Sequence, residues 1–515
     1  MTEARRPNRR GRSRRPGNRS AADSAAEPNP YRDASPAPES SGGDSPPSPQ
    51  EGEGRESTGN APPDRESAPP PSANNGSDAS GGEAVSTTGN RPARDGGGGG
   101  GNRHRSNDRP GFDRSGRRGR RNRGRNQQRR EQTDRTPSTP LTADGETLGW
   151  FDPSRDGGFI RRAANSYLAD NGDAWIPSHI VRQYGLRRGD ALHATTGRDN
   201  RNRVSIVELL TVNDTAPDES APRSDFGSLT ATYPDRRLTL ETGRSAKGGG
   251  PELTRRAIDL IAPIGYGQRA LIVAPARAGK TMLLHAITEG IAINHPNATL
   301  LILLVDERPE EVSEAISWGV GEVVASSFDQ PAARHVEVTE MVIERARRLV
   351  ETGKDVVIVL DSLTRMARAH NTAERGTGRT LSGGLDSQAM AKPKAFFGSA
   401  RSVADADGGG SITIISTALV ETGSRMDDVI FEEFKGTGNC EIKLDRSLAE
   451  KRIFPAFDIA ASGTRREEKL YKTDQLDAVY TLRRGLQQMP PQAAMEWLIK
   501  RIAGTPNNDT LLTGL

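Results

Sequence analysis

Residues 270–284 read ALIVAPARAGKTMLL, and this stretch decides the fold of most of the chain. A buried-type strand leads into a loop of small residues, then Gly-Lys-Thr and the start of a helix, which is the arrangement of a P-loop. The glycine lets backbone N–H groups approach phosphates, the lysine reaches the β- and γ-phosphates, and the threonine hydroxyl binds magnesium. We predict nucleotide-binding positions at Arg277, Ala278, Gly279, Lys280, Thr281 and Met282.

Two later strands end in acidic residues that belong beside this loop. Residues 299–311 read TLLILLVDERPEE and residues 355–362 read DVVIVLDS, so Glu307 and Asp361 fall at strand ends. Ligands of open parallel sheets lie beyond the carboxyl ends of the strands. One acid is needed to hold magnesium and another to orient and deprotonate the attacking water. We therefore assign Thr281 and Asp361 to Mg²⁺ and Glu307 to the water, with ATP as the nucleotide.

The pattern along the chain predicts two folded domains. Continuous apolar strands alternate with helical stretches over residues 251–515, which is typical of a parallel sheet covered by helices on both faces. Short apolar runs separated by turn residues over 146–215 predict a small barrel or sandwich. Residues 216–250 are polar and contain proline, so we predict a linker there.

Residues 1–145 carry almost no aromatic or branched apolar side chains, and we predict a disordered tail because such a segment buries too little surface to offset its ordering entropy. Residues 1–140 hold 26 arginines, no lysine and 18 acidic residues, a net charge of +8, which leaves −4 of the total +4 for the rest. Arg/Gly-rich segments bind RNA without sequence preference. The composition therefore favours an RNA-contacting tail, with a purely solubilising tail as the alternative.

Composition also narrows the compartment. Cys440 is the single cysteine, so no disulfide framework forms within one chain, which fits a reducing environment. No apolar run approaches the roughly 18 residues of a membrane-spanning helix. The first residues are basic and lack the apolar segment of a secretory signal. These features predict a cytoplasmic protein without a membrane partner.

Five further segments point to a family. They are DERPEEV at 306–312, GEVVASSFDQPAARHVEVTEMVIERARRLVE at 321–351, LDSLTRMARAHN at 360–371, FEEFKGTGN at 431–439 and KRIFPAFDIAASGTRREE at 451–468. Together they resemble the family of the bacterial transcription termination factor Rho. The resemblance implies an α/β RecA-like P-loop motor domain preceded by a small OB-fold RNA-binding domain.

The family resemblance also implies a function. It implies a homohexameric ring that is an RNA-dependent ATPase and a 5′-to-3′ RNA translocase and helicase. Such a ring would load on single-stranded nascent RNA and terminate transcription by acting on RNA polymerase. The nucleotide would lie at each subunit interface, and RNA would occupy the central pore.

Several nucleotide-site roles come from the resemblance alone. Arg465 would be an arginine finger that reaches the ATP of the neighbouring subunit, and Arg308 would contact phosphates or couple subunits. Phe454 would pack on adenine. A further nucleotide-contacting stretch would comprise Gly265, Tyr266, Gly267, Gln268, Arg269 and Ala270.

The two RNA sites of the family map onto the barrel and onto two pore loops. The expected pore contacts are Thr380, Leu381, Ser382, Gly383, Gly384, Leu385 and Lys435. The expected barrel contacts are Asp156, Gly157, Gly158, Phe159, Ile160, Arg161, Asp173, Ala174, Trp175, Arg201, Asn202 and Arg203.

The chain departs from the family pattern at four positions. Ala274 replaces the usual first glycine of the P-loop, and Arg277 stands where the family usually has lysine. Gly157 and Arg203 stand where the family usually shows aromatic rings. Because stacking on aromatic rings is a main source of affinity for single strands, these two changes predict a less pyrimidine-selective RNA site.

Two other classes of protein stay open from the sequence. One is a rotary or export-type P-loop ATPase, which shares the P-loop and the arginine finger; stimulation of ATP hydrolysis by RNA distinguishes the two. The other is a non-motor RNA-binding scaffold driven by the basic tail. A Lys280→Ala variant that kept all activity would favour the scaffold.

Overall fold

The computed structural model describes residues 141–199, 202–220, 223–245, 250, 252–374, 382–386 and 388–514. Residues 1–140 of the predicted tail lie outside this range. So do three of the predicted RNA contacts, Arg201, Thr380 and Leu381, and the side chain of Ser382 is also outside it.

Five strands close into a barrel in the order β1-β2-β3-β5-β4. They are β1 (Gly145–Ser154), β2 (Gly157–Arg161), β3 (Ala174–Pro177), β4 (Ala191–Arg198) and β5 (Val204–Val212), with helices α1 (Ser178–Gln183) and α2 (Pro217–Ser220). The pairing of β3 with β5 is parallel and the other pairings are antiparallel. Phe151, Ile160, Ile176, Leu192 and Val212 fill the barrel interior. The predicted OB-type barrel is confirmed.

Nine strands form the sheet of the larger domain. The main order is β14-β13-β7-β12-β10-β8-β9, and β11 joins β12 to β6. The strands are β6 (Ala231–Thr232), β7 (Arg269–Pro275), β8 (Thr299–Glu307), β9 (Glu322–Ser327), β10 (Asp355–Asp361), β11 (Arg401–Val403), β12 (Ser411–Val420), β13 (Cys440–Lys443) and β14 (Gly463–Thr464). The pairings among β13, β7, β12, β10, β8 and β9 are parallel, whereas β14 runs antiparallel to β13.

Helices cover both faces of this sheet, as the alternating pattern predicts. They are α3 (Leu253–Ile261), α4 (Lys280–Asn294), α5 (Pro309–Ser317), α6 (Ala332–Val350), α7 (Leu363–Ala373), α8 (Ala391–Gly398), α9 (Arg425–Lys435), α10 (Arg446–Glu450), α11 (Thr473–Gln487), α12 (Pro491–Ala503) and α13 (Asn508–Thr513). Along β8, Ile302 and Leu304 pack with α4, while Leu301, Leu303 and Val305 pack with α6. Successive side chains thus enter two separate cores, which explains why the strand is apolar throughout.

The barrel is attached to the larger domain through α6. Trp150 of the barrel stacks on Tyr167 with ring centroids 3.4 Å apart, and both belong to the core that contains α6. Arg345 of α6 donates to the Asn213 side chain at the end of β5 at 2.6 Å. Arg188 of the barrel pairs with Glu340 of α6 at 3.0 Å. The two domains therefore share apolar packing and polar contacts along one helix.

Glu351, directly after α6, holds a buried cluster of arginines between the domains. Its side chain is 0% exposed and lies 3.0 Å from Arg187 of the barrel and 2.9 Å from Arg348. Arg223 approaches the same carboxylate at 3.6 Å and also pairs with Asp190 of the barrel at 2.5 Å. Burial raises the pKa of Glu351, and the three arginines oppose that rise.

Within the described ranges, no helix combines the length and the apolar character that crossing a membrane requires.

Replacing Glu351 by alanine should destabilise the protein strongly. The change removes the buried carboxylate shared by Arg187 and Arg348, and breaking a buried ion pair typically costs about 3–5 kcal/mol. Urea unfolding followed by tryptophan fluorescence would measure the loss. Glu450→Ala removes an exposed pair with Arg446 and should change the free energy of unfolding by less than about 1 kcal/mol. Equal losses for the two variants would show that the buried cluster does not join the domains.

Candidate ATP site and RNA surfaces

The P-loop lies between β7 and α4, as predicted. Gly279 has a φ of 92° and is the N-cap residue of α4, and Arg277 also has a positive φ of 65°. A Cβ at position 279 would lie 3.2 Å from the ring of Phe454, so backbone conformation and close packing both require glycine there. Arg277 and Met282 are exposed, whereas Ala278 is buried. The backbone N–H groups at the start of α4 form the anion-binding end of the helix.

Lys280 lies between the two predicted catalytic acids. Its Nζ is 2.8 and 2.7 Å from the two carboxylate oxygens of Asp361 and 3.2 Å from Oε1 of Glu307. Burial opposes protonation of this lysine, but Asp361 and Glu307 raise the pKa of its ammonium group. Asp361 also accepts a hydrogen bond from Thr417 Oγ1 at 2.7 Å. The ends of β7, β8, β10 and β12 therefore converge on one charged group.

Glu307 has the electrostatic properties of a general base. It is 1% exposed, and burial raises its pKa to about 7, with a further contribution from the negative charge of Asp361. Lys280 and Arg365 oppose the rise, and Arg365 lies 3.3 Å from Oε2 of Glu307. A carboxylate with a pKa near the working pH is well matched to proton transfer from water.

His335 of α6 lies behind this acid. Its Nδ1 is 2.7 Å from Ser326 Oγ, and its Nε2 is 3.8 Å from Asp306, the residue that precedes Glu307. Burial lowers the pKa of His335. The first turn of α6 is thus tied to the ends of β8 and β9.

The oxygen atoms beside the P-loop fit a magnesium ion. Carboxylate oxygens of Glu307, Glu311 and Asp361 all lie within 4.8 Å of one another, and Thr281 lines the same cavity. Hard oxygen donors of this kind suit Mg²⁺, which is usually held by one or two carboxylates together with substrate phosphates. Thr281 and Asp361 are placed as the sequence predicts, and Glu311 is an additional candidate.

Two predicted nucleotide contacts lie around the mouth of this site. The half-buried ring of Phe454 rests against Gly279, so packing on adenine stays a prediction that its position permits. Arg308 precedes α5 and is exposed, with its guanidinium 3.7 Å from Glu311. Its side chain points to solvent near the acids, so a role towards phosphates or a neighbouring subunit also stays a prediction.

The stretch from Gly265 to Ala270 does not contact a nucleotide held by the P-loop of the same chain. It precedes or begins β7, whereas the P-loop follows the other end of that strand. Seven residues of strand span roughly 23 Å. Gln268 and Ala270 are buried, and Tyr266 contacts His295 at 2.9 Å. Contact of these six residues with a nucleotide, as the family resemblance implies, therefore stays a prediction that would need the nucleotide of another copy.

Arg465 lies at that same distant end of the sheet. It directly follows β14, in which Thr464 pairs with Cys440, and Cys440 pairs in turn with Ala270 at the start of β7. The side chain of Arg465 is exposed. The register places it about one strand length from its own P-loop, so it is too far to stabilise charge on a nucleotide bound there.

The barrel presents an aromatic surface to solvent. Phe159 on β2 faces Trp175 on β3 across the strands, with the rings edge to face at 5.0 Å. The Arg203 guanidinium lies 4.9 Å from the Trp175 ring, and Arg161 lies 4.9 Å from the Phe159 ring. A row of half-buried rings with cations beside them is typical of a single-strand binding surface.

The two glycines on this surface are required by space. A Cβ at Gly157 would lie 2.1 Å from the Ile176 carbonyl oxygen and 2.9 Å from the Trp175 ring. A Cβ at Gly158 would lie 2.2 Å from the ring of Phe151. Trp175 thus lies in the space that a side chain at 157 would use, which explains how the chain keeps a platform without a ring at 157.

Several predicted RNA contacts are structural instead. Ile160 and Ala174 are 0% exposed in the barrel core, and Leu385 is 0% exposed in the motor core, so their side chains do not reach RNA. Asp173 is buried and pairs with Arg161 at 2.9 Å, which fixes that arginine beside Phe159. Asp156 is exposed in the turn before β2 and remains available for contact.

The described part of the pore segments lies beside α9. Gly383 has a φ of 78°, and a Cβ there would lie 2.7 Å from the Met426 backbone nitrogen; Gly384 has a φ of 79°. Lys435 ends α9, is exposed, and lies 3.2 Å from Glu432. Lys435 therefore stays a candidate for contact with RNA phosphates.

On the barrel, Asn202 has a φ of 59°, and its carbonyl oxygen accepts from Arg198 at 3.3 Å.

Two residues beside Glu307, Arg365 and Glu311, were not predicted from the sequence. Arg365 pairs with Glu307, and Glu311 joins the group of acids. Both carried a positional signal, because each lies in the first turn of the helix that follows a strand ending in a predicted acid. Helix α5 starts at Pro309 and α7 at Leu363, which turns both residues back towards the strand ends.

Comparisons with known proteins agree with this geometry. The family model described as ATP synthase alpha/beta family, nucleotide-binding domain, matches residues 254–464. The model described as Rho termination factor, RNA-binding domain, matches residues 147–218. Fold and site thus define a P-loop ATPase, an ATP-hydrolysing enzyme, whose motor domain follows an RNA-binding barrel.

The relatives identify which ATPase family this is. Transcription termination factor Rho of Gemmatimonas aurantiaca is 73% identical over 376 residues, which are 73% of this chain and 51% of that protein. Its counterpart in Chromobacterium violaceum is 49% identical, over 70% of this chain and 85% of that protein. The Escherichia coli K12 protein is 49% identical, over 68% of this chain and 83% of that protein. This chain belongs to the transcription termination factor Rho family, although the matched region spans about half the length of the Gemmatimonas relative.

One solved structure, described as a prototypical ATPase from the type III secretion system of pathogenic bacteria, matches with a TM-score of 0.45 and 23% identity. It covers 55% of this chain and 85% of that chain, and a likeness at this level does not bear on function.

The rate of hydrolysis should follow the titration of Glu307. Its carboxylate form accepts the proton, and that form increases as pH rises through the pKa of about 7. kcat/KM, which reports the free enzyme, should rise about tenfold per pH unit below this pKa and level off above it. Glu307→Gln should remove this rise and lower kcat by about 10²-fold or more.

Glu310→Gln is the matched control, because Glu310 is exposed in the first turn of α5. That variant should keep the profile of the unmodified protein. A flat kcat/KM profile between about pH 5.5 and 8 in the unmodified protein would contradict the assignment of Glu307 as the base.

Proposed function

We propose that this chain is an RNA-dependent ATPase that assembles into a homohexameric ring and moves 5′ to 3′ along nascent RNA. In this proposal the ring terminates transcription by acting on RNA polymerase. The observation that carries it is the separation of Arg465 from the P-loop by about the length of a strand, in a chain that also has an RNA-binding barrel. Direction and polymerase as target rest on membership of the Rho family.

Hydrolysis follows from the groups around the P-loop. When ATP binds, Lys280 exchanges its carboxylate partners for phosphate oxygens, which releases Glu307. The Glu307 carboxylate takes a proton from water while the water oxygen bonds to the γ-phosphorus. The bond from that phosphorus to the bridging oxygen breaks, and ADP leaves with the electron pair. Thr281 and Asp361 would hold a magnesium ion, which would supply positive charge beside the phosphate oxygens.

A neighbouring copy completes the site. The developing charge on the transferred phosphoryl group needs a cation beyond Lys280, and an arginine finger supplies it in related motors. Arg465 is exposed at the amino-terminal end of the sheet and is distant from its own P-loop. Head-to-tail assembly brings the amino-terminal edge of one copy to the P-loop edge of the next, which closes a ring. Hydrolysis then depends on assembly.

The barrel and Lys435 supply two surfaces for RNA. Phe159 and Trp175 offer faces on which bases stack whatever their sequence, and the Arg203 guanidinium beside Trp175 adds positive charge. Arg203 replaces a ring that would stack, so this surface has fewer purely aromatic contacts than the family pattern. We expect it to accept RNA more broadly than a pyrimidine-selective site would.

ATP hydrolysis with and without poly(C), poly(U) and poly(A) tests the proposal. RNA should stimulate the rate, and the three polymers should differ little in the concentration that gives half-maximal stimulation. Trp175→Ala should raise that concentration about tenfold, since stacking contributes about 1–3 kcal/mol per base. Trp497→Ala removes a partly exposed tryptophan from α12 and should leave it unchanged. Hydrolysis indifferent to all three RNAs would instead support a rotary or export-type ATPase.

Rings mixed from two inactive variants should regain hydrolysis. Lys280→Ala and Arg465→Ala should each lower kcat about 10³-fold when pure. In a mixed ring, an Arg465→Ala subunit provides an intact P-loop and an adjacent Lys280→Ala subunit provides an intact finger. Activity should therefore reappear when the purified variants are dissociated, mixed and reassembled. Mixtures no more active than the pure variants would show that Arg465 does not act across an interface.

A further inference from the structure

Asn439 lies at the crossing of three segments. It is the last residue of the short connection between α9, which ends at Lys435, and β13, which begins at Cys440. Its Oδ1 accepts from the backbone N–H of Arg269 at 2.8 Å and from Nε2 of Gln268 at 2.8 Å. Its carbonyl oxygen accepts from Gln268 Nε2 at 2.9 Å and from the backbone N–H of Arg465 at 2.9 Å.

The start of β7 holds the same connection at a second point. Arg269 donates from Nε to the Thr437 carbonyl oxygen at 3.0 Å and from NH1 to the Ala400 carbonyl oxygen at 3.0 Å. Burial lowers the pKa of Arg269, and the nearby positive charges of Arg401 and Arg465 lower it further. Arg269 is thus near enough to Arg465 to sense its charge while it is bonded to the connection that follows Lys435.

Gln268 holds Asn439 in place. Gln268 is 1% exposed, and its side-chain Nε2 donates a hydrogen bond to the Asn439 carbonyl oxygen. A buried hydrogen bond of this kind fixes position, because breaking it would leave the amide N–H group buried without an acceptor. Asn439 is therefore held to the start of β7 by its side chain and to Arg465 by its main chain.

We propose that Asn439 is a positioning residue that couples contact with RNA at Lys435 to placement of the Arg465 finger. The inference rests on the proposed function, since it needs RNA at Lys435 and a finger that acts on a neighbouring ATP. Displacement of Lys435 passes along four residues to Asn439, whose carbonyl bond carries it to Arg465. The backbone pairing of Cys440 with Thr464 joins the same connection to the segment that carries Arg465.

Two substitutions at this position separate the acceptor from the side-chain volume. Asn439→Leu keeps a similar shape but removes Oδ1, so Gln268 and the Arg269 N–H lose their acceptor. We expect the RNA-stimulated kcat to fall about tenfold, while the dissociation constants for ATP and for RNA change less than about threefold. Asn439→Asp keeps the acceptor oxygen and should retain the RNA-stimulated kcat within about threefold. Asn297→Leu, at an exposed position before β8, is the matched control and should behave as the unmodified protein.

A double-mutant cycle tests whether Asn439 carries the signal from Lys435. Lys435→Ala alone should lower RNA-stimulated kcat, but in the Asn439→Leu background it should lower kcat no further. Gln268→Met removes the same hydrogen bond from its other partner and should reproduce the Asn439→Leu result, which keeps the test available if that variant folds poorly. Additive losses in the cycle, or full RNA stimulation in both Asn439→Leu and Gln268→Met, would overturn the proposal. Absence of RNA stimulation in the unmodified protein would instead contradict the proposed function.

Discussion

The shared direction of the central strands is the constraint on which the rest of this structure depends. Because β7, β8, β10 and β12 run parallel, their carboxyl ends bring Lys280, Glu307 and Asp361 to one edge of the sheet. Strand β14 runs the opposite way beside β13 and returns the chain to the other edge at Arg465. One copy therefore carries two incomplete halves of a site, separated by about the length of a strand.

Charge compensation explains how the two neighbouring acids, Glu307 and Asp361, tolerate burial. Two carboxylates this close in a buried setting repel each other, and Lys280 offsets that repulsion by contacting both. The arrangement links ligand binding to activation of the base, since the ammonium group cannot hold the acids and the phosphates equally well. Arg365 gives Glu307 a second cationic neighbour, 3.3 Å from Oε2, which does not depend on Lys280.

The sequence predicted the elements well and the distances poorly. The P-loop, the two acids and the barrel followed from local patterns, because a Gly-Lys-Thr turn and an acid at a strand end have few alternative structures. The predicted nucleotide-contacting stretch before β7 is near the P-loop in sequence, but a strand separates the two in space. Ile160, Ala174 and Leu385 lie within motifs that touch RNA in the family, yet burial directs them inward. Asn439 carried no local signal, because its partners are about 170 and 26 residues away in sequence and depend on strand order.

Helix α6 connects the surroundings of Glu307 with the barrel. His335 in its first turn is hydrogen-bonded to Ser326 and lies near Asp306, the residue before Glu307. Glu351, just beyond its last turn, forms a salt bridge with Arg187 of the barrel. The 19 residues of α6 span about 28 Å. One helix packed against the sheet thus joins the surroundings of Glu307 to the barrel that carries the aromatic surface.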